Sequence, residues 1–182
     1  MKNMRRQAFL ALMAGLAFVP GTANAVTNGS LGSTSTGIVN ISASVPNSVQ
    51  ITKLTDITIA PTDLTTTVVN NQNVCVWSNT STKAYTIKAS GSGGSSAFTL
   101  ANNLLTVPYS VEWNATSGQS SGTPLAPAAA SGTLVSTATN PTCSAGNATT
   151  ASLIVKITAS DLQGMVGSAS YTGTLTLLVS PI

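Results

Sequence analysis

The run from Tyr171 to Val179 constrains the fold of this chain more than any other segment. Tyr171, Gly173, Leu175, Leu177 and Val179 fall on one face of a two-residue period. Thr172, Thr174 and Thr176 fall on the other, and Leu178 is the apolar exception. In an extended backbone successive side chains point to opposite sides, so this segment reads as a strand with one apolar face. The alternation recurs in Val39, Ile41, Ala43 and Val45, in Tyr85, Ile87 and Ala89, in Val107, Tyr109, Val111 and Trp113, and in Leu153, Val155 and Ile157. Val49 with Ile51, Ile57 with Ile59, Val74 to Trp77 and Ala97 to Leu100 are shorter candidates. No segment after residue 25 carries a 3.6-residue apolar stripe, and Ser160 to Val166 allows one helical turn at most. Seven or more short strands with turn residues between them predict an all-β chain, an immunoglobulin-like β-sandwich in preference to a barrel.

Residues 1–25 read as a secretory signal. Lys2, Arg5 and Arg6 precede an apolar stretch from Ala8 to Val19, Pro20 and Gly21 break it, and Ala23-Asn24-Ala25 is a small-x-small cleavage triplet. Cleavage is expected after Ala25. Residues 26–36 are small and polar, a flexible leader. Three of the seven basic residues lie in the signal. Beyond it Lys53, Lys83, Lys88 and Lys156 balance Asp56, Asp63, Glu112 and Asp161, so the basic net charge belongs to the targeting segment. Nucleic acid is not an expected partner, because it requires clustered cations, and membrane insertion is not expected either.

An exported chain with Cys75 and Cys143 is expected to join them in a disulfide, worth roughly 4 kcal/mol for a loop of this length. There is no histidine in the chain. That excludes Ser-His-Asp and Cys-His catalysis and makes two thiols a poor metal site, so neither cofactor nor metal is expected. The four acidic residues are scattered singly, and Asp56 and Asp63 flank Pro61 in a turn-like stretch where Asp bonds its own backbone. The chain is therefore read as a non-enzyme. Residues 114–132 form a low-complexity loop expected to be mobile. Most of the aromatic residues sit at inward-phase strand positions, which favours the core, and Trp113, at a strand end beside this loop, is the best candidate among them for surface recognition.

Several segments together resemble the archaic chaperone–usher pilus subunits, the spore coat protein U-type domain family. Thr36-Gly37-Ile38-Val39-Asn40-Ile41 is similar to the alternating donor segment that opens those subunits. Asn73-Val74-Cys75-Val76 followed by Tyr85-Thr86-Ile87 resembles their cysteine-bearing strand and its successor. Val107 to Trp113 resembles the strand before their variable loop, and Tyr171 to Val179 their terminal strand. One departure stands out. Such subunits often carry a cysteine soon after the donor segment, where this chain has Val49 and Ile51.

The resemblance implies an incomplete sandwich that lacks its last strand. A periplasmic chaperone and an outer-membrane usher would be its partners, with donor-strand exchange between like or related subunits and a final place in a fimbrium at the cell surface. It casts residues 37–45 as donor, with Val39, Ile41, Ala43 and Val45 as pocket fillers, and Tyr171, Leu175, Leu177 and Val179 as the groove-facing terminal strand. Two alternatives stay open. Residues 37–45 can instead be the first strand of their own domain. The chain can instead be a secreted binding module that uses Trp113 and the adjoining loop to recognise a glycan or surface.

Overall fold

The computed structural model describes residues 26–146 and 148–182, so the expected signal lies outside the described residues. The chain divides into two units, one ending at Ser44 and the other running from Val45 to Ile182. In the first, Thr27 and Ile38 exchange a pair of backbone hydrogen bonds at 3.2 and 2.9 Å. Residues 39–44 have no strand partner.

The second unit is all-β. Its strands are β1 (Val49–Thr52), β2 (Val68–Ser78), β3 (Ala84–Gly91), β4 (Thr99–Asn102), β5 (Leu105–Pro108), β6 (Ser110–Asn114), β7 (Thr123–Pro124), β8 (Leu134–Val135), β9 (Ala151–Ile157) and β10 (Leu175–Pro181). One helix, α1 (Ala159–Gln163), supplies the single turn expected there. Thr158 caps it by accepting from the Asp161 amide. All pairings are antiparallel, in a five-stranded sheet β1-β2-β9-β6-β7, a three-stranded sheet β10-β3-β8 and the hairpin β4-β5.

The alternation explains the core. Val74 and Val76 of β2, Tyr85, Ile87 and Ala89 of β3, Val111 and Trp113 of β6, and Leu153 and Val155 of β9 form one buried cluster between the two sheets. This is the sandwich that two half-apolar sheets make when each covers the other. A second cluster, Val107, Ile157 and Leu162, gathers Tyr171 and Met165 around α1.

Four expectations are corrected. Val107 to Trp113 is not one strand. Pro108 cannot donate to a ladder, and the partner changes there: β5 pairs with β4, β6 with β9 and β7. Between them Tyr109 donates its amide to Phe98, and their rings stack at 5.7 Å. Tyr171 does not belong to the terminal strand, which starts at Leu175. Its hydroxyl accepts from the Val166 amide at 3.1 Å, and its ring packs in the second cluster.

The region 114–132 is not a free loop. The Gly118 amide donates to Asn73 Oδ1, the Gln119 amide to Ser152 Oγ and the Leu125 amide to the Val111 carbonyl, while Leu125 is buried. Gly122 passes so close to β6 that a Cβ there would lie 2.4 Å from the Trp113 carbonyl oxygen. Finally, Trp113 is not at the surface. It is 2% exposed and donates its indole N–H to the Tyr85 hydroxyl at 3.2 Å. The inward phase of β6 decides this, because Val111 two residues earlier already faces the core.

Candidate functional site

Each sheet has two edges. On one flank the edges are β7 and β8, and the connection between them closes the gap. Leu125 joins the core there, the Ala128 and Ser131 amides donate to the Ala89 and Ile87 carbonyls, and the Ser131 hydroxyl accepts from the Ile87 amide. On the other flank the edges are β1 and β10. They come into contact but share no ladder. Among the described residues, neither has a strand on its outer edge.

Exposure rises from the interior strands to the edges, and Leu134 of β8 on the closed flank is partly buried too. Val49 and Ile51 of β1 and Leu175, Leu177 and Val179 of β10 point to the core yet are only partly buried. Val74, Val76, Ile87 and Ala89 in the interior strands are fully buried. The open flank is therefore a line of half-covered aliphatic side chains bordered by two unpaired backbone edges, the surface that β-strand addition uses. The structure brings together three of the four expected terminal-strand residues, Leu175, Leu177 and Val179, and leaves Tyr171 out.

The four candidate donor residues are exposed. Val39 is 68% exposed, Ile41 91% and Val45 80%, and Ala43 is also exposed. No strand is assigned to residues 37–45. Val39, Ile41 and Ala43 lie in the first unit and Val45 opens the second.

The expected disulfide is present. Cys75 and Cys143 are bonded across a sequence separation of 68 and both are buried. Cys75 points away from Val74 and Val76 and packs with Ala138 and Trp77 in its own small cluster. Next to it the Thr150 hydroxyl accepts from the Val76 amide and donates to the Val76 carbonyl, and the Ser136 hydroxyl also donates to that carbonyl. Two side chains thus satisfy backbone groups of β2 beyond the last residue paired with β9.

The charged residues are structural where the structure resolves their contacts. Lys156 and Glu112 form an ion pair at 2.6 Å between β9 and β6. The Lys156 ammonium holds the Glu112 carboxyl below its ordinary range, assisted by the Gly122 amide. Asp63 accepts from the Thr65 hydroxyl and amide, which keeps it ionised to lower pH than usual, as the turn reading anticipated. Burial pushes the Tyr85 hydroxyl up. Among the described residues no group of three or more His, Cys, Asp or Glu side chains could hold a metal ion, and no helix is long and apolar enough to cross a membrane. A polar cavity of about 400 Å³ lined by Thr116, Ser117, Thr137, Thr149 and Thr150 contains hydroxyls but no charged or aromatic group.

Two elements were not foreseen from the sequence, the strap from β7 to β8 and the amide of Asn79. Leu125 is the only large apolar residue in residues 114–132 and was the available signal for the strap. Asn79 has no such signal, because a single polar residue after a strand reads as a turn. No family model matches the chain, and no curated protein matches it.

Proposed function

We propose that this chain is a structural subunit of a chaperone–usher-type pilus or surface fibre, polymerising by donor-strand exchange in support of attachment or biofilm formation. The observation that carries the reading is the open flank. A sandwich closed by its own chain at β7 and β8 leaves the outer edges of β1 and β10 without a strand among the described residues, with five core-facing aliphatics only partly buried. The same chain carries an exposed segment with the complementary period. Val39, Ile41, Ala43 and Val45 can enter such a flank on one face while the backbone pairs with an edge. Burying three large aliphatic side chains contributes roughly 5–9 kcal/mol gross, before ordering costs.

A periplasmic chaperone would cover the flank before assembly and an usher would export the polymer, as the family resemblance implies. The disulfide fits an extracellular or periplasmic site of action. The glycan-binding reading loses its support with Trp113, whose indole lies inside the core. The test is electron microscopy of surface filaments on cells producing the full chain or its Val39→Asn/Ile41→Asn variant. Filaments should disappear or shorten severely in the variant while the folded chain still accumulates. Filaments of unchanged length and number would refute donation by this segment.

A further inference from the structure

A donor segment attached to its own acceptor groove poses a problem of self-competition, and one side chain is placed to answer it. We propose that Asn79 is a positioning residue that holds Pro46–Ser48 extended and so keeps the donor segment from filling the groove of its own chain. The proposal rests on the donor-strand reading and adds a device that directs donation toward a second copy of this chain.

The geometry begins at β1. Val49 pairs with Ser78, and the ladder continues one step further as the Asn79 amide donates to the Ser48 carbonyl at 3.1 Å. There the backbone ladder ends and the Asn79 side chain takes over. Its Oδ1 accepts from the Ser48 amide at 2.6 Å, and its Nδ2 donates to the Pro46 carbonyl at 2.9 Å. In an extended strand the polar backbone groups of residues i and i+2 point to the same side. Pro46 C=O, Ser48 N–H and Ser48 C=O all point to Asn79, so the carboxamide reads residues 46–48 as strand and prolongs β1 with two bonds that β2 cannot supply.

That conformation matters because of chain length. Val49 already stands in β1, and Val45 is the last candidate pocket filler. For residues 37–45 to lie along the free edge of β1 in the same chain, the backbone must reverse within Pro46–Ser48, the length of a tight hairpin loop. A reverse turn there turns these backbone groups out of line and breaks both side-chain bonds. Asn79 itself is on a firm base. The Ser78 and Thr80 hydroxyls, both buried, bond each other, the Thr80 hydroxyl accepts from the Ala84 amide, and Lys83 N–H donates to the Thr80 carbonyl. The β2–β3 turn thus presents the Asn79 amide in a fixed position.

The test uses the full chain, kept dilute and monomeric, and a fluorescent peptide of residues 37–45 whose uptake is followed by anisotropy. Asn79→Ala should slow peptide uptake about tenfold, since two hydrogen bonds no longer oppose self-filling. Adding Val39→Asn and Ile41→Asn to Asn79→Ala should restore uptake to the wild-type rate, because the chain's own segment can no longer compete. Unchanged uptake in Asn79→Ala overturns the proposal. A loss that the added tail substitutions fail to restore also overturns it, because Asn79 would then act only through the fold. If the Val39→Asn/Ile41→Asn chain with Asn79 intact takes up no peptide, the donor-strand reading fails and this inference falls with it.

Discussion

The two flanks of the sandwich solve the same problem in opposite ways. Each must deal with a pair of sheet edges and the core between them. At β7 and β8 the chain crosses from one sheet to the other, inserts Leu125 and bonds the free edge of β3 through Ala128 and Ser131. At β1 and β10 the two edges meet without a shared ladder among the described residues, and Val49, Ile51, Leu175, Leu177 and Val179 are only partly buried. The same two sheets meet at both flanks, but the edge strands are two residues long at β7 and β8 and four and seven residues long at β1 and β10. A self-sealed flank contributes to the stability of the isolated chain. In the proposed assembly, an open flank leaves that contribution to a partner.

Substitutions of similar type should therefore have unequal effects at the two flanks. Trp113→Ala empties a fully buried site beside the sealed flank and orphans the Tyr85 hydroxyl. A loss of about 5 kcal/mol is expected, the top of the range for such a truncation. Leu177→Ala on β10 should cost the isolated chain only about 1–2 kcal/mol, because the side chain is only partly buried before any partner arrives. Urea denaturation of both variants measures the contrast. Equal losses would mean that the β1–β10 flank is as closed in solution as the other one.

The disulfide sharpens the same contrast. Cys143 lies beyond β8, in the chain that continues from the sealed flank to the outer side of β2. Replacing Cys75 and Cys143 by Ser should cost roughly 4 kcal/mol by the loop-entropy account. Hydrogen exchange should localise the earliest loosening to residues 134–146 and the strap before them. β10 should keep its protection, since its ladder to β3 does not involve the bridge. Early loss of protection across β10 would show that the two flanks are not separable.

How much of this was legible depends on where polar residues fall. β3, β9 and β10 were readable because their inward positions are all apolar. The first half of β2 was hidden, because Asn70 and Gln72 occupy the phase of Val74 and Val76 and erase the alternation. The structure tolerates Gln72 by bonding it to the Thr55 backbone, whose amide it accepts from and whose carbonyl it donates to. A long-range side-chain contact of that kind leaves no trace in periodicity. The strap is hidden for the opposite reason. Its Ala, Ser, Gly and Pro content matches that of a mobile loop, and only its hydrogen bonds to β3 reveal an edge cover. The open flank was half legible. The strong apolar face of β10 announced a strand in need of cover, but the split at Tyr171 depends on its hydroxyl reaching the Val166 amide.

The smallest effect concerns acid. Glu112 bridges Lys156 and the Gly122 amide, so it ties the start of the strap to the sheet. The Lys156 ammonium lowers its folded pKa below the ordinary 4.5. A carboxyl with a depressed folded pKa contributes stability that is complete above its unfolded value and is lost as pH falls through the folded one. Wild-type stability should therefore decline on acidification below about pH 4.5, and Glu112→Gln should flatten that decline while costing about 1 kcal/mol at neutral pH. The location of the change decides between the flanks. Amide exchange at Gly122 and Leu125 should rise relative to β1 and β10 as Glu112 is protonated, because only the sealed flank is held by this carboxylate. An acid response centred on β1 and β10 would assign the pH dependence to the open flank, where no such pair exists among the described residues.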